Sequence, residues 1–265
     1  SILEYYDREY EITIDILFNG TKPVENFTYN EISVIRRGNT INDCIFRVAS
    51  GNDVNIVIGP NINPIFGHAY SKVLQLSKAF EQYGYVIPNE LSRELEQRYV
   101  LCTLNHATGE KCNLYDLQEN HFVFPNSVFL LTAFEDDDLN LVVTTNMTNR
   151  NILPDNVIIY NINKNTSKTM PAEFIKQIND RLAEVHYKVN YHKGYILARA
   201  VDNIVLFDLY NMKMVNDNVG VSTSYCGRTP NNYALLTIDG DQKHCYVYYK
   251  GKKIDDEHSN YLPGN

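Results

Sequence analysis

The chain of 265 residues contains no tryptophan and five cysteines, none of them in a CxxC spacing. The cysteines are Cys44, Cys102, Cys112, Cys226 and Cys245. An odd number without close pairs is typical of free thiols in a reducing compartment. A zinc site made from Cys226, His244 and Cys245 lacks the close ligand pairs of tetrahedral zinc motifs. The acidic EDDD at Glu135–Asp138 lies between apolar strands and predicts a solvated hairpin turn rather than a cation site.

Long apolar runs and long basic runs are also missing. The longest apolar run, VFLLTAF at Val128–Phe134, is far shorter than a membrane-spanning helix and fits a buried strand. The first ten residues have no basic region followed by an apolar stretch, so we expect no signal peptide and no membrane partner. With 24 Lys and Arg against 32 Asp and Glu, the net charge is -8. No clustered basic face is predicted, which argues against specific binding of nucleic acid.

Motifs of serine hydrolases, zinc proteases, P-loop proteins and dinucleotide-binding enzymes are absent from the sequence. One segment offers an alternative, HYKVNYHKGY from His186 onward. His186, Tyr191 and His192 could act there as base and acid, and Lys193 could bind a phosphate, as in a metal-independent nuclease or phosphodiesterase. The same residues are typical of a helix end, a turn and a strand start, and we expect that the protein is not an enzyme.

Alternation of apolar and polar residues predicts a chain made mostly of strands. It begins between Tyr10 and Phe18 and recurs in about a dozen further segments, separated by turn signals such as ATGEK and GRTPNN. Helical spacing predicts three helices, within residues 65–84, 88–99 and 169–187. No internal repeat and no Gly/Ser-rich linker is evident. We therefore expect a β-rich α+β fold, a single antiparallel β-sandwich domain over residues 10–265 with about three helices.

Tyrosine is abundant, with 20 residues in the chain. A tyrosine ring buries a large area at a small cost in conformational entropy and also offers a hydrogen bond, so interfaces are rich in tyrosine. In the strand HCYVYYKGKK, Tyr246 and Tyr248 lie on one face and Tyr249 on the other. The composition favours a protein that associates with copies of itself, and we expect these three side chains to form contacts between chains.

Three stretches resemble the polyhedrins of cypoviruses, the matrix proteins of the crystalline occlusion bodies of insect reoviruses. They are VIRRGNTINDCIFRV at Val34–Val48, VNIVIGPNINP with YVIPNEL at Val54–Pro64 and Tyr85–Leu91, and TPNNYALLTIDGDQKHCYV at Thr229–Val247. The resemblance implies a structural protein that crystallises in the cytoplasm of the infected host cell and embeds virus particles. It implies no catalytic residue and no required cofactor.

The same resemblance implies a β-sandwich preceded by an N-terminal helical arm, here residues 1–9, and a homotrimer that the arm links into a lattice. Leu3, Tyr5 and Tyr6 would then form lattice contacts. Because some relatives hold a nucleotide in the lattice, Arg36 and Arg37 are candidates for a phosphate contact. Two other functions stay open: the nuclease or phosphodiesterase above, and a β-sandwich binding module that forms no lattice.

An occlusion crystal has to dissolve in the alkaline insect midgut, and phenols supply a mechanism. The reference pKa of tyrosine is about 10, and burial in a contact raises it. Contacts are then stable below about pH 10 and weaken above it, because the separated chains ionise first. We expect the 20 tyrosines of this acidic chain to hold an assembly that alkali releases.

Overall fold

The structure is a computed structural model that describes most of the chain. The described residues are 2–7, 12–59, 65–81, 89–107, 109–148, 152–184, 188–192, 194–199, 204–215, 233–238 and 241–255. The chain divides into two compact units, Ser1–Ala79 with Ile87–Ser127 (unit 1) and Phe80–Val86 with Val128–Asn265 (unit 2). The expectation of one domain over residues 10–265 stays a prediction.

In unit 1, strands that follow one another along the chain pair in antiparallel sheets. The first sheet consists of β1 (Ile2–Asp7), β2 (Ile12–Asn19) and β3 (Lys22–Tyr29), and the second of β4 (Glu31–Arg36), β5 (Ile45–Ser50) and β6 (Asp53–Ile58). The third consists of β7 (Lys72–Gln75), β8 (Tyr99–His106), β9 (Gly109–Asp116) and β10 (His121–Phe122). A 3-10 helix (Ile41–Asp43) separates β4 from β5, and helices α1 (Leu76–Glu81) and α2 (Asn89–Arg98) lie between β7 and β8.

Unit 2 follows the same plan. Its first sheet consists of β11 (Phe129–Asp136), β12 (Asp138–Thr144), β13 (Val157–Asn161) and β14 (Thr166–Thr169). The next consists of β15 (Lys188–His192), β16 (Tyr195–Arg199), β17 (Ile204–Asp208) and β18 (Lys213–Met214), and the last of β19 (Tyr233–Ile238), β20 (Asp241–Tyr249) and β21 (Lys252–Asp255). Helix α3 (Ala172–Glu184) starts after Pro171 and buries Phe174, Ile178 and Leu182 in the core of this unit.

The expected β-rich α+β class is confirmed, since antiparallel strands dominate the described residues and three α-helices accompany them. The grouping of the strands differs from that of two packed sheets. The described strands form six sheets of three or four strands, and within each sheet the neighbouring strands are consecutive along the chain, mostly joined by short hairpin connections. Up-and-down sheets of about four strands also form the blades of β-propellers.

The N-terminal segment is a strand, and the expected helical arm is wrong. β1 pairs with β2 over its whole length, with Tyr5 opposite Ile14. The composition favours this outcome, because aromatic and β-branched residues prefer strands and an isolated helix of two turns is unstable. Ile2 packs against the core cluster around Leu17. The segment therefore belongs to the first sheet of unit 1.

The first predicted helix, over residues 65–84, is largely wrong. Tyr70 forms a β-bridge to Val54, and the next residues form strand β7, which pairs with β8. Of the described residues in this segment, Leu76–Glu81 are helical. In β7 the exposed Lys72 precedes the buried Val73, which is a strand pattern within a stretch of helical spacing. Helices α2 and α3 lie within the other two predicted segments, which confirms them.

An internal repeat exists that the sequence interpretation missed. Three strands end in an Asp or Asn whose side chain accepts a hydrogen bond from a backbone N–H two or three residues later. The next residue is buried, and the residue four positions after the Asp or Asn has a positive φ. The three turns are YDLQEN at Tyr115–Asn120, YNINKN at Tyr160–Asn165 and FDLYNM at Phe207–Met212. Their spacing of about 45 residues is close to the repeat length of propeller blades.

Candidate functional site: an apolar pocket beside Arg37

The loop between β4 and β5 and the strands β1 and β2 enclose a pocket of about 490 Å³ in unit 1, here called the Arg37 pocket. Its apolar side chains are Ile2, Leu17, Phe18, Val34, Ile41 and Phe46. Its polar side chains are Asn19, Arg37, Asn39, Thr40 and Cys44. This volume lies within the range of small-molecule sites, as does the combination of an apolar wall with a few polar groups.

The loop that carries Arg37 is braced from within. The Thr40 hydroxyl donates a hydrogen bond to the Asp43 carboxylate at 2.7 Å, and the Thr40 N–H donates to the same oxygen at 3.1 Å. The backbone of Gly38 approaches Asp43 so closely that a Cβ at this position would collide with it. A glycine is therefore required here, and the loop is fixed before any ligand arrives.

The Cys44 thiol closes the base of the same loop. Its sulfur accepts a hydrogen bond from the Gly38 N–H at 3.4 Å and donates one to the Thr40 carbonyl at 3.3 Å. Cys44 is half-buried, and among the described residues it forms no disulfide. These weak contacts add to the bracing, because they join both sides of the loop behind Arg37.

The two arginines that the sequence singled out occupy different positions. Arg37 is exposed and lines the Arg37 pocket, whereas Arg36, opposite Ile45 at the end of β4, does not. Within the described part of the chain, neither guanidinium forms a hydrogen bond or an ion pair. An arginine without an acidic partner can bind a phosphate or carboxylate through two parallel hydrogen bonds. The structure thus places one of the two candidate phosphate contacts beside a pocket.

The residues expected to join chains are divided between surface and core. Leu3 is 54% exposed and Tyr249 37% exposed, so both are available to another chain. Tyr248 is buried against Tyr195 and Leu206 in unit 2, and its ring is not available for a contact between chains. Tyr5, Tyr6 and Tyr246 lie on described strands, but their side chains are outside the described residues.

The described tyrosines lie mainly in the cores of the two units. Burial raises the pKa of Tyr70 to about 12, with a smaller contribution from Cys102. Burial also raises the pKa at Tyr29, Tyr115, Tyr191 and Tyr195. This rise in phenol pKa comes from burial within the chain, and the expected rise in contacts between chains stays a prediction.

The alternative catalytic segment is only partly described. Tyr191 lies on β15 and packs against the core of unit 2, whereas His186 and Lys193 are outside the described residues, as is the side chain of His192. Cys226 and the side chains of His244 and Cys245 are outside them too. The described residues contain no group of three or more His, Cys, Asp or Glu that could hold a metal ion.

The acidic EDDD forms the predicted hairpin turn. It joins β11 to β12, and Asp137 at its tip has a φ of 61°. Lys250 approaches Asp137 to 3.1 Å, and Lys164 approaches Asp138 to 2.5 Å. The carboxylates are therefore paired with ammonium groups rather than arranged around a cation. None of the described helices has the length and apolar character needed to cross a membrane.

Sequence reasoning found Arg37 but missed the pocket beside it. Its other apolar members lie on β1, β2, β4 and β5 and in the loop itself, and no local spacing reveals that these strands line one cavity. A signal was present in the motif RRGNT, because a glycine directly after two arginines indicates a close backbone approach.

No family model matches the chain, and no curated protein matches it. Among solved structures it is similar to a eukaryotic initiation factor, with 12% identity and a TM-score of 0.39 over 98% of this chain. The chain spans 63% of the length of that protein. It is also similar to the AfRom2 CNH domain, with 7% identity and a TM-score of 0.30, covering 92% of this chain and 77% of that one. These values support no conclusion about function.

Proposed function

We propose that the protein is a binding module whose Arg37 pocket takes a small organic anion with an apolar part. One observation carries the proposal: Arg37, which has no acidic partner among the described residues, stands on a braced loop at an apolar pocket. A phosphate or carboxylate would bind the guanidinium, and the apolar part would pack against Phe18 and Phe46. The nucleotide that the polyhedrin resemblance implies is one ligand of this kind.

A three-ligand comparison tests the proposal. Adenosine monophosphate carries both a phosphate and a base, adenosine carries the base alone, and inorganic phosphate carries the charge alone. Nuclear magnetic resonance titration should show that adenosine monophosphate binds more tightly than either fragment and shifts the signals of Gly38, Thr40 and Cys44. If adenosine monophosphate fails to shift these signals, or binds no more tightly than either fragment, the proposal is wrong.

A second candidate function is the occlusion-body matrix, a self-assembling homotrimer that embeds virus particles in the cytoplasm of an infected cell. The abundance of tyrosine favours it, because a phenol buried in a contact between chains makes that contact sensitive to alkali. The exposed side chains of Leu3 and Tyr249 are available for the contacts. Expression in insect cells tests it: micrometre crystals that dissolve near pH 10 to 11 would support this function. Cells with diffuse, monomeric protein would exclude it.

A further inference from the structure

One face of the first sheet of unit 2 changes from apolar to polar along its length. Phe134, Asn140, Asn161 and Thr166 form one row across β11, β12, β13 and β14. Residues directly opposite each other in a sheet point to the same face. Val142 follows Asn140 by two positions on β12, so it lies on the same face of the sheet, and it is buried in the core of the unit. The row therefore marks the boundary where a core face becomes polar.

A cavity of about 310 Å³ lies over this polar end, here called the Asn140 cavity. The row described above forms one wall, and Leu209 and Tyr210 of the third repeated turn form another. The rings of Phe134 and Tyr210 meet edge to face, with centroids 5.3 Å apart. The cavity thus combines two aromatic rings with amides and hydroxyls, all within unit 2.

The charges around the Asn140 cavity are balanced. Lys164 pairs with Asp138 at 2.5 Å, and Lys250 pairs with Asp137 at 3.1 Å and with Asp136 at 3.4 Å. The lining itself carries Lys164 and Lys168 against three carboxylates, and Lys250, which is outside the lining, neutralises part of that negative charge through its two ion pairs. A ligand of large net charge would find no excess of opposite charge here. The balance favours a neutral polar ligand.

Several polar groups in the cavity have no partner within the described part of the chain. Asn140 is 8% exposed, and its Nδ2 donates a hydrogen bond to the Asp138 carbonyl at 2.9 Å. A carbonyl oxygen accepts hydrogen bonds and donates none, so this bond identifies the amide nitrogen and leaves Oδ1 as a further acceptor on a residue that lines the cavity. No described residue bonds to that Oδ1, nor to the side chains of Thr166 and Lys168. These groups are therefore open to water or to a ligand, either of which can supply the missing hydrogen bonds.

We propose that the Asn140 cavity binds a neutral polyhydroxylated molecule of monosaccharide size. A hydroxyl both donates and accepts, so vicinal hydroxyls satisfy Asn140 Oδ1, the Thr166 hydroxyl and the Lys168 ammonium together. The apolar face of such a ring packs against Tyr210 and Phe134. This site is separate from the Arg37 pocket, and neither proposal depends on the other.

Saturation-transfer magnetic resonance on the full chain tests this site with D-glucose and myo-inositol as probes. The variant Thr166→Val removes one cavity hydroxyl, and Thr169→Val, on the same strand but outside the cavity, is its matched control. Both positions are exposed, so neither change should unfold the protein. We expect at least one probe to bind, with an affinity that falls about three- to tenfold in Thr166→Val and stays unchanged in Thr169→Val.

Three results would overturn the assignment. The first is that neither probe shows saturation transfer at millimolar concentration. The second is that both variants weaken binding equally. The third is that acetate or spermidine displaces the bound probe, which would show that the cavity selects charge rather than hydroxyl groups.

Discussion

The phenol oxygen of Tyr195 accepts a hydrogen bond from the backbone N–H of Gly251 at 2.9 Å. Tyr195 lies on β16, and Gly251 lies in the turn between β20 and β21. The contact is buried, and it joins two sheets of unit 2 at a point where the turn also approaches Asp208. A glycine is required there, because its φ is +73° and a Cβ would collide with the Asp208 carboxylate.

The variant Tyr195→Phe should therefore lower the free energy of unfolding by about 1 to 3 kcal/mol, because it leaves a buried N–H without an acceptor. Tyr70→Phe is the matched control: this tyrosine is also buried, and its hydroxyl forms no hydrogen bond with a described residue. Urea unfolding measures both changes. If Tyr195→Phe costs no more than Tyr70→Phe, the hydrogen bond to Gly251 does not stabilise the fold.

Two of the repeated turns should lose different amounts of stability when their carboxylate is replaced by an amide. Burial raises the pKa of Asp116, but the hydrogen bond from Arg98 and two backbone N–H groups outweigh it, and the pKa is lowered. Burial raises the pKa of Asp208 despite its hydrogen bonds. Asn161 occupies the equivalent position in the other turn, so the geometry accepts an amide.

At pH 7 we expect Asp116→Asn to cost about 1 to 3 kcal/mol, because Arg98 loses its anionic partner. Asp208→Asn should cost clearly less, since it removes a desolvated charge. The free energy of unfolding of each variant, from urea denaturation, makes the comparison. Equal losses would show that the turn needs the carboxylate itself at both positions.

Because several phenols are buried, we expect the folded protein to lose stability in alkali. The folded-state pKa of Tyr70 is raised to about 12, whereas the unfolded value is about 10. Stability is fully present below about pH 10 and falls between about pH 10 and 12, by up to ~1.4 kcal/mol per pH unit for each such group. Ultraviolet absorbance of the phenolates, followed with circular dichroism, should show ionisation and unfolding together. Phenols that ionise near pH 10 while the fold persists would contradict this.

Variants of two neighbouring residues of β1 allow self-association and folding to be tested independently. Leu3 is 54% exposed, whereas Ile2 packs against the core cluster around Leu17. If the matrix proposal holds, Leu3→Lys should weaken self-association in analytical ultracentrifugation and leave the melting temperature unchanged. Ile2→Lys should instead lower the free energy of unfolding by about 1 to 3 kcal/mol. Unchanged association in Leu3→Lys would remove this side chain from any contact between chains.

Elements with a long and regular pattern were predictable from the sequence. Helix α3 has an apolar stripe of several turns and a proline at its start, and the alternation in β2 is equally clear. The segment ATGEK was interpreted as a turn, although β9 already begins within it at Gly109. β1 was assigned from a resemblance rather than from its own strand-forming residues, and the assignment as a helix is wrong.

The two sites differ in how much of each could be predicted from the sequence. Arg37 was found because two adjacent arginines stand out in an acidic chain, but its pocket depends on four strands that local patterns do not connect. Asn140 and Asn161 were missed, because a single polar residue in a strand looks like an ordinary exposed position. That the two residues belong to one site becomes evident only from the strand register, which places them side by side on a face whose neighbouring residues belong to the core.

Calorimetric titration of adenosine monophosphate into the wild type, Arg37→Ala and Arg36→Ala tests most directly whether the Arg37 pocket binds an organic anion. Both variants lose one positive charge from the same loop region, but only Arg37 lines the pocket. At physiological ionic strength, where distant charges are screened, Arg37→Ala should weaken binding about ten- to a hundredfold, as expected for a charged hydrogen bond. Arg36→Ala should stay within about threefold of the wild type. Equal losses in both variants, or an undiminished affinity in Arg37→Ala, would contradict a binding site at Arg37.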